Sequence, residues 1–334
     1  MKMTKGLLVA VVGLAVSAFG AYRENSIIAH WTGAADQMWD NPANWEVEGL
    51  TEADAGFHAV PGVLKDASGN YTGSKCDQAV FDRAAVNTSL KIGTFVCISN
   101  VTFKGSAIPK FTFAYPFRMP MVDGSTLKVE ADVVNVPTIY QLKTGTFRTN
   151  NKNYFTIVND AASVLRVVND AGLIEGAENC DPFSGFTGDS TTYMYILGSG
   201  DIAFDRNFAQ DRSGEYNLYV YQSGTAKAQI RSNTRIQLRS YTVTRQDDSD
   251  QLIEVPKGYF GDYAAGYQSV FINSNTKVCG AGTYYCTYGK GKNNTDVVAA
   301  DKLFWIDCAI KSHCVSGDAP ATGAAFKKSG EGTM

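Results

Sequence analysis

The chain has 334 residues, with 30 Lys and Arg against 33 Asp and Glu, a net charge of −3 and only 19% charged residues. Both signs are interspersed along it, which argues against nucleic acid as a partner, since that usually demands a strongly basic patch. A content of 32 Gly, 17 Tyr and 18 Phe, with plentiful Thr, Ser, Asn and Val, favours many short strands joined by turns over helices.

In chain order, Lys2 and Lys5 precede an apolar run of Leu, Val, Ala and Gly through Ala21, the layout of a secretory signal peptide. We assign it residues 1–20, with cleavage after Ala18 or Gly20. The run is too short and too rich in small residues for a membrane helix, which needs roughly 20 apolar positions. The mature chain is therefore expected to be secreted or at the cell surface, without spanning a membrane.

Residues 21–75 form a Trp-rich segment built on WTGAADQMWDNPANW, where Trp31, Trp39 and Trp45 alternate with turn formers. Two roles stay open for it. The indoles can cap the end of a β core and shield its strand edges from further pairing, or they can present flat faces on which sugar rings stack.

From residue 76 to 334 the periodicity is that of strands. QAVF (78–81), NVTF (100–103), FTFAYPF (111–117), STLKVEADVVNV (125–136), TIYQL (138–142), YMYILGSGDIAF (193–204), YNLYVYQSG (216–224) and TRIQLRSYTV (234–243) alternate or run apolar between turn signals. In the last of these, Ile236 and Leu238 are expected on one face, and Arg235, Gln237, Arg239 and Tyr241 on the other. No linker or composition break appears between residues 75 and 275, so the expected fold is all-β, a parallel β-helix or solenoid. A jelly-roll-like β-sandwich, which at this length would repeat as a second domain, is the alternative.

Chemistry-bearing residues are sparse. Seven cysteines in an exported chain predict disulfides, paired locally as Cys279–Cys286, Cys308–Cys314 and Cys76–Cys97, with Cys180 left over. Free buried thiols are the alternative; a zinc site is disfavoured by the wide Cys spacings. Asp201 and Asp205, four apart on a strand with Asp211 nearby, are the candidate catalytic carboxylates for polysaccharide cleavage, although an Asp at a strand end is ordinarily a turn former. The run Asp247, Asp248 and Asp250 is a candidate calcium turn, lacking the Gly and Glu of an EF-hand loop. Tyr219 and Tyr221 share a strand face and are candidate sugar contacts. GKGKNNT (289–295) lacks the spacing of a phosphate loop. No cofactor is expected.

The phrases WTG and WD…ANW at residues 31–45, QAVFDR at 78–83, ILGSGDIAF at 196–204 and FKKSGEGTM at 326–334 resemble those of secreted bacterial autotransporter-type passenger proteins with autotransporter-associated β-strand repeats. The resemblance implies a right-handed parallel β-helix displayed outside the cell, with a structural or adhesive role and cell-envelope or extracellular glycans, or surface proteins, as partners. The body then ends in a partial repeat. A carbohydrate-binding or polysaccharide-cleaving protein on the same scaffold is the alternative. The chain departs from the pattern in its seven cysteines, since such passengers tend to avoid disulfides.

Overall fold

Period-two alternation becomes strand wherever one face of a run is apolar enough to be buried and the other polar enough to stay wet. The computed structural model describes residues 26–49, 59–63, 77–91, 98–113, 121–140, 152–168, 191–205, 215–231, 238–257, 259–261, 269–288, 295–314 and 328–329. One sheet of twelve strands starts with Trp45–Val47 and Ile28–Trp31. It continues through Gln78–Phe81, Ile98–Phe103, Met121–Val129, Lys152–Asn159, Thr191–Gly198, Glu215–Gln222, Leu238–Arg245, Ser269–Ile272 and Thr295–Val298 to Lys328–Ser329. The second sheet runs from Ser89–Leu90 through Thr112–Phe113, Thr138–Tyr140, Leu165–Val168, Ile202–Asp205, Lys227–Arg231 and Gln251–Glu254 to Thr276–Tyr288. Thr276–Tyr288 also carries Tyr259–Gly261 and, along its other side, Phe304–Cys314.

From Gln78–Phe81 onward the strands alternate between the two sheets, except that Gln251–Glu254 and Tyr259–Gly261 follow each other in the second, and neighbours within a sheet are one coil apart and parallel. That is a β-solenoid. The sandwich alternative is excluded, because jelly rolls are antiparallel, whereas here the antiparallel ladder within the sheets is that of Trp45–Val47 against Ile28–Trp31.

The core is a set of stacked rows. Ala29, Ala79, Val101, Leu127, Ile157, Ile196, Val220, Val243, Ile272 and Val298 succeed one another in register across the first sheet, and all are buried. Leu165, Ile202, Ala228, Ile253, Val278 and Ile306 form the facing row. Each buried Val, Leu or Ile stabilises the fold by about 1.5–3 kcal/mol. Val243 is buried and Thr242 and Thr244 are half-buried; residues 235–237 and the side chains of Leu238, Arg239 and Tyr241, on which the expected faces rest, lie outside the described ones. A bulge where Tyr216 and Asn217 meet Leu238 and Ser240 shifts the register of this strand by one residue.

The corners between sheets are polar and self-satisfied. Gly198 has φ +108°, and a Cβ there would collide with the Asn159 carbonyl one coil earlier, so the Gly of the LGSGD phrase is demanded by coil stacking. Buried Asn159 donates Nδ2 to Ser163 O at 3.0 Å and Asp201 O at 2.7 Å. Arg245, with no exposed side-chain surface, donates to Ala226 O at 2.9 Å, Gln251 Oε1 at 3.1 Å, Ser249 Oγ at 3.1 Å and Gly224 O. These bonds satisfy backbone and guanidinium groups that would otherwise be buried unpaired.

Candidate functional site

The Trp-rich segment is tied into a loop by its own turn formers. Asn44, fully buried, accepts from the Ala35 and Asp36 amides at 2.8 and 3.0 Å and donates to Asp36 Oδ1 and Met38 O at 2.7 and 2.8 Å. Asn41 donates to Asp36 Oδ2 at 2.9 Å, and hydrogen bonds from Asn41, the Met38 amide and Asn44 hold the Asp36 carboxyl below the usual range. Gly33 takes φ +58° and a Cβ there would meet Asn87 O at 2.7 Å, so this turn also requires glycine.

The loop packs its indoles inward. Trp31 and Trp39 have no exposed surface and Trp45 very little. Trp45 meets Trp31 at 4.9 Å and Trp39 at 4.7 Å edge to face, and Phe81 and Phe103 continue the cluster at 4.7 Å. Each indole N–H is satisfied by backbone: Trp31 to Asn87 O at 2.9 Å, Trp39 to Pro61 O at 2.9 Å, Trp45 to Trp39 O at 2.7 Å. The sugar-platform expectation for Trp31, Trp39 and Trp45 is thereby corrected. An indole with both faces packed has none to offer a ring, and what sequence read as two options is a cap on the first coil.

Beside the cap lies an ionic cluster that the sequence did not signal. His30, 8% exposed, points Nδ1 at the Asp82 carboxylate, 3.0 Å away, and Nε2 at Glu48 Oε1, 2.8 Å away. Arg83 bonds Asp82 at 3.0 Å and pairs with Glu46, and Lys104 approaches Asp82 at 3.8 Å. Partial burial raises the Asp82 carboxyl, but hydrogen bonds from His30 and Arg83 outweigh it and hold the group below its usual range. Fully buried Asp77 accepts from the Ile27 amide at 3.1 Å and the Gly62 amide at 2.7 Å. His30 and Asp82 are 52 positions apart, so no spacing motif could have shown them.

Midway along the first sheet the outward row reads Asn100, Thr126, Thr156, Tyr195, Tyr219, Thr242 and Phe271 in register. Tyr195 and Tyr219 stack at 4.9 Å with planes 15° apart, and Tyr193 and Tyr221 lie parallel to Tyr219, each at 6.2 Å. Burial, with Tyr219 adding to it, pushes the Tyr221 phenol up. The structure thus joins Tyr219 and Tyr221 to two tyrosines of the preceding coil. Their rings stack on one another along this face.

The acidic candidates are turn elements. Asp201 precedes its strand and Oδ1 accepts from the Lys227 amide at 2.9 Å; Asp211 and the Asp205 side chain lie outside the described residues. In the calcium candidate, Asp247 accepts from Ser249 Oγ at 2.6 Å, from the Gly224 amide and from Arg245. Asp248 turns at φ +59° and Asp250 Oδ1 accepts from Asn275 at 3.0 Å. The three carboxylates do not converge, and among the described residues no group of three His, Cys, Asp or Glu could hold a metal. This corrects the calcium turn: a guanidinium already supplies its positive charge.

Cys279 and Cys308 are free thiols, which corrects the local disulfides. Cys279 and Cys286 sit on the extended strand Thr276–Tyr288, and Cys308 and Cys314 on Phe304–Cys314. Each pair is roughly 20 Å apart at strand rise, far beyond the ~7 Å between Cα atoms that a bridge spans. Burial pushes both free thiols up, with Glu254 adding to the effect at Cys279. Cys76, Cys97, Cys180 and the GKGKNNT loop through Asn294 lie outside the described residues, as do residues 1–25. No helix among the described residues is long and apolar enough to cross a membrane. Of the C-terminal phrase, Lys328–Ser329 forms a short parallel strand on Thr295–Val298.

Together these features define a parallel β-solenoid closed at one end by an aromatic cap. Compared with known proteins, the chain matches no protein-family model, no curated protein and no solved structure.

Proposed function

We propose that this is a secreted or cell-surface β-solenoid of the autotransporter-passenger type, whose work is structural or adhesive. The observation that carries the reading is the continuous parallel ladder: coil after coil repeats the same inward row, producing a long, regular outer face. Solenoids of this kind offer extended surfaces to large partners. Cell-envelope or extracellular glycans and surface proteins are the partners this surface suits. The Tyr–Thr row across Thr156, Tyr195, Tyr219 and Thr242 supports a carbohydrate as the first ligand class to try, through hydroxyl hydrogen bonds at a repeat of about 4.8 Å. Co-sedimentation with insoluble polysaccharides and with cell envelopes, together with an assay of reducing ends, tests the reading. Binding without release is expected. Release of sugar ends from one polymer would replace it with polysaccharide cleavage, and no binding to any of these surfaces would remove the adhesive role.

A further inference from the structure

In the outward row of the first sheet, Tyr219, Thr242 and Phe271 succeed one another in register on adjacent coils. Two residues along the same strands, Tyr221 lies level with Thr244, and Asn273 donates Nδ2 to Thr244 Oγ1 at 3.4 Å. Tyr219 and Tyr221 flank buried Val220, Thr242 and Thr244 flank Val243, and Phe271 and Asn273 flank Ile272, so alternation puts all six on the outer face. Phe271 is 42% exposed; Asn273 is exposed, and the two tyrosines and two threonines are half-buried.

The side chains differ in reach. Threonine is far shorter than tyrosine or phenylalanine, so a coil carrying two threonines between coils carrying rings makes a slot. Tyr219 and Tyr221 form one wall, Phe271 and Asn273 the other, and the threonine hydroxyls lie on the floor. Strands two coils apart are separated by about 9.6 Å, roughly twice the 4.9 Å at which Tyr195 and Tyr219 stack. One further flat ring therefore fits above Thr242 at stacking distance from both walls.

With carbohydrate as the ligand class proposed above, we infer that this slot holds one pyranose of a glycan chain running along the strands, between Tyr219 and Phe271. A sugar gripped from both sides must present C–H groups on both faces, because these pack on an aromatic ring and an axial hydroxyl does not. β-1,4-linked glucose and N-acetylglucosamine meet that demand, since their ring substituents are all equatorial. Mannose, with an axial 2-hydroxyl, does not. The six lining residues carry no charge, which suits a neutral sugar, and the threonine and asparagine side chains offer hydrogen bonds to its equatorial hydroxyls.

Titration calorimetry of the purified chain with cellohexaose, chitohexaose and mannohexaose tests the slot. Cellohexaose or chitohexaose is expected to bind, and mannohexaose about tenfold more weakly. Phe271→Ala removes one wall and weakens binding about tenfold. Thr242→Phe fills the slot with a ring of the chain's own and abolishes binding, while Val134→Ala, at an exposed apolar residue elsewhere, leaves it unchanged. Circular dichroism checks that each variant folds; should Thr242→Phe not fold, Phe271→Ala, at an exposed position, decides alone. An unmodified chain that binds neither cellohexaose nor chitohexaose overturns the inference. So does equal affinity for mannohexaose, or binding indifferent to these two slot variants. If the chain still co-sediments with an insoluble polysaccharide, such a failure strikes the slot alone; if it does not, the carbohydrate reading falls with it.

Discussion

Replacing Trp39 by alanine separates the cap from a binding platform. Trp39 is fully buried, its ring meets Trp45 at 4.7 Å and Phe81 at 6.2 Å, and its N–H serves Pro61 O. Loss of a buried indole, including the cavity left behind, costs about 3–5 kcal/mol. A buried carbonyl stripped of its donor adds about 1–3 kcal/mol. The terms overlap, so about 5 kcal/mol is expected, a large share of the roughly 5–15 kcal/mol that stabilises a typical domain. Because solenoid coils contact mainly their neighbours, the damage should begin locally, in Ile28–Trp31, Trp45–Val47 and Gln78–Phe81. Urea unfolding followed by circular dichroism measures the total, and hydrogen exchange over residues 26–49 and 77–91 locates it. Trp39→Phe, keeping an aromatic ring but not the donor, should lose about half as much. An unchanged urea midpoint with intact protection in Trp39→Ala would refute the cap.

Two glycines should behave oppositely. Gly198→Ala forces a Cβ onto the Asn159 carbonyl at φ +108°, so a loss of several kcal/mol in thermal unfolding is expected. Gly224→Ala, at φ +64° with nothing closer than Ser199 O at 3.9 Å, should lose only about 1 kcal/mol; equal losses would refute the stacking argument. Acid should loosen the protein in a predictable direction. Asp247, held down first by the Ser249 hydroxyl despite some burial, and Asp82 both have carboxyls below their usual range. Depressed folded values mean that their stabilisation is complete above the unfolded value of about 3.9 and is lost as pH falls through the folded ones. The melting temperature should drop progressively below about pH 4, and less steeply in Asp82→Asn; a melting temperature flat down to pH 2 would contradict this.

Local pattern made the strands and the solenoid legible. Alternation such as NVTF forces one face inward, an unbroken succession of such runs leaves no domain boundary, and the Gly of LGSGD marks a corner that no side chain can occupy. The turn formers of WTGAADQMWDNPANW are legible as such, but that Asp36, Asn41 and Asn44 tie the loop to itself shows only in the structure. Function was less legible, for a physical reason. The same tryptophans serve a cap or a platform according to which side of them other coils lie, and the same carboxylates serve a turn or a metal according to whether Arg245 reaches them first. Cysteines close in sequence are far apart on an extended strand, whereas His30 and Asp82, far apart in sequence, meet because each coil brings the chain back on itself. Side-chain direction within a strand is a local property and can be read from period two until a bulge shifts the register, as at Leu238. Which residues become neighbours across coils depends on coil length and register, and those are set only when the rows of the core stack.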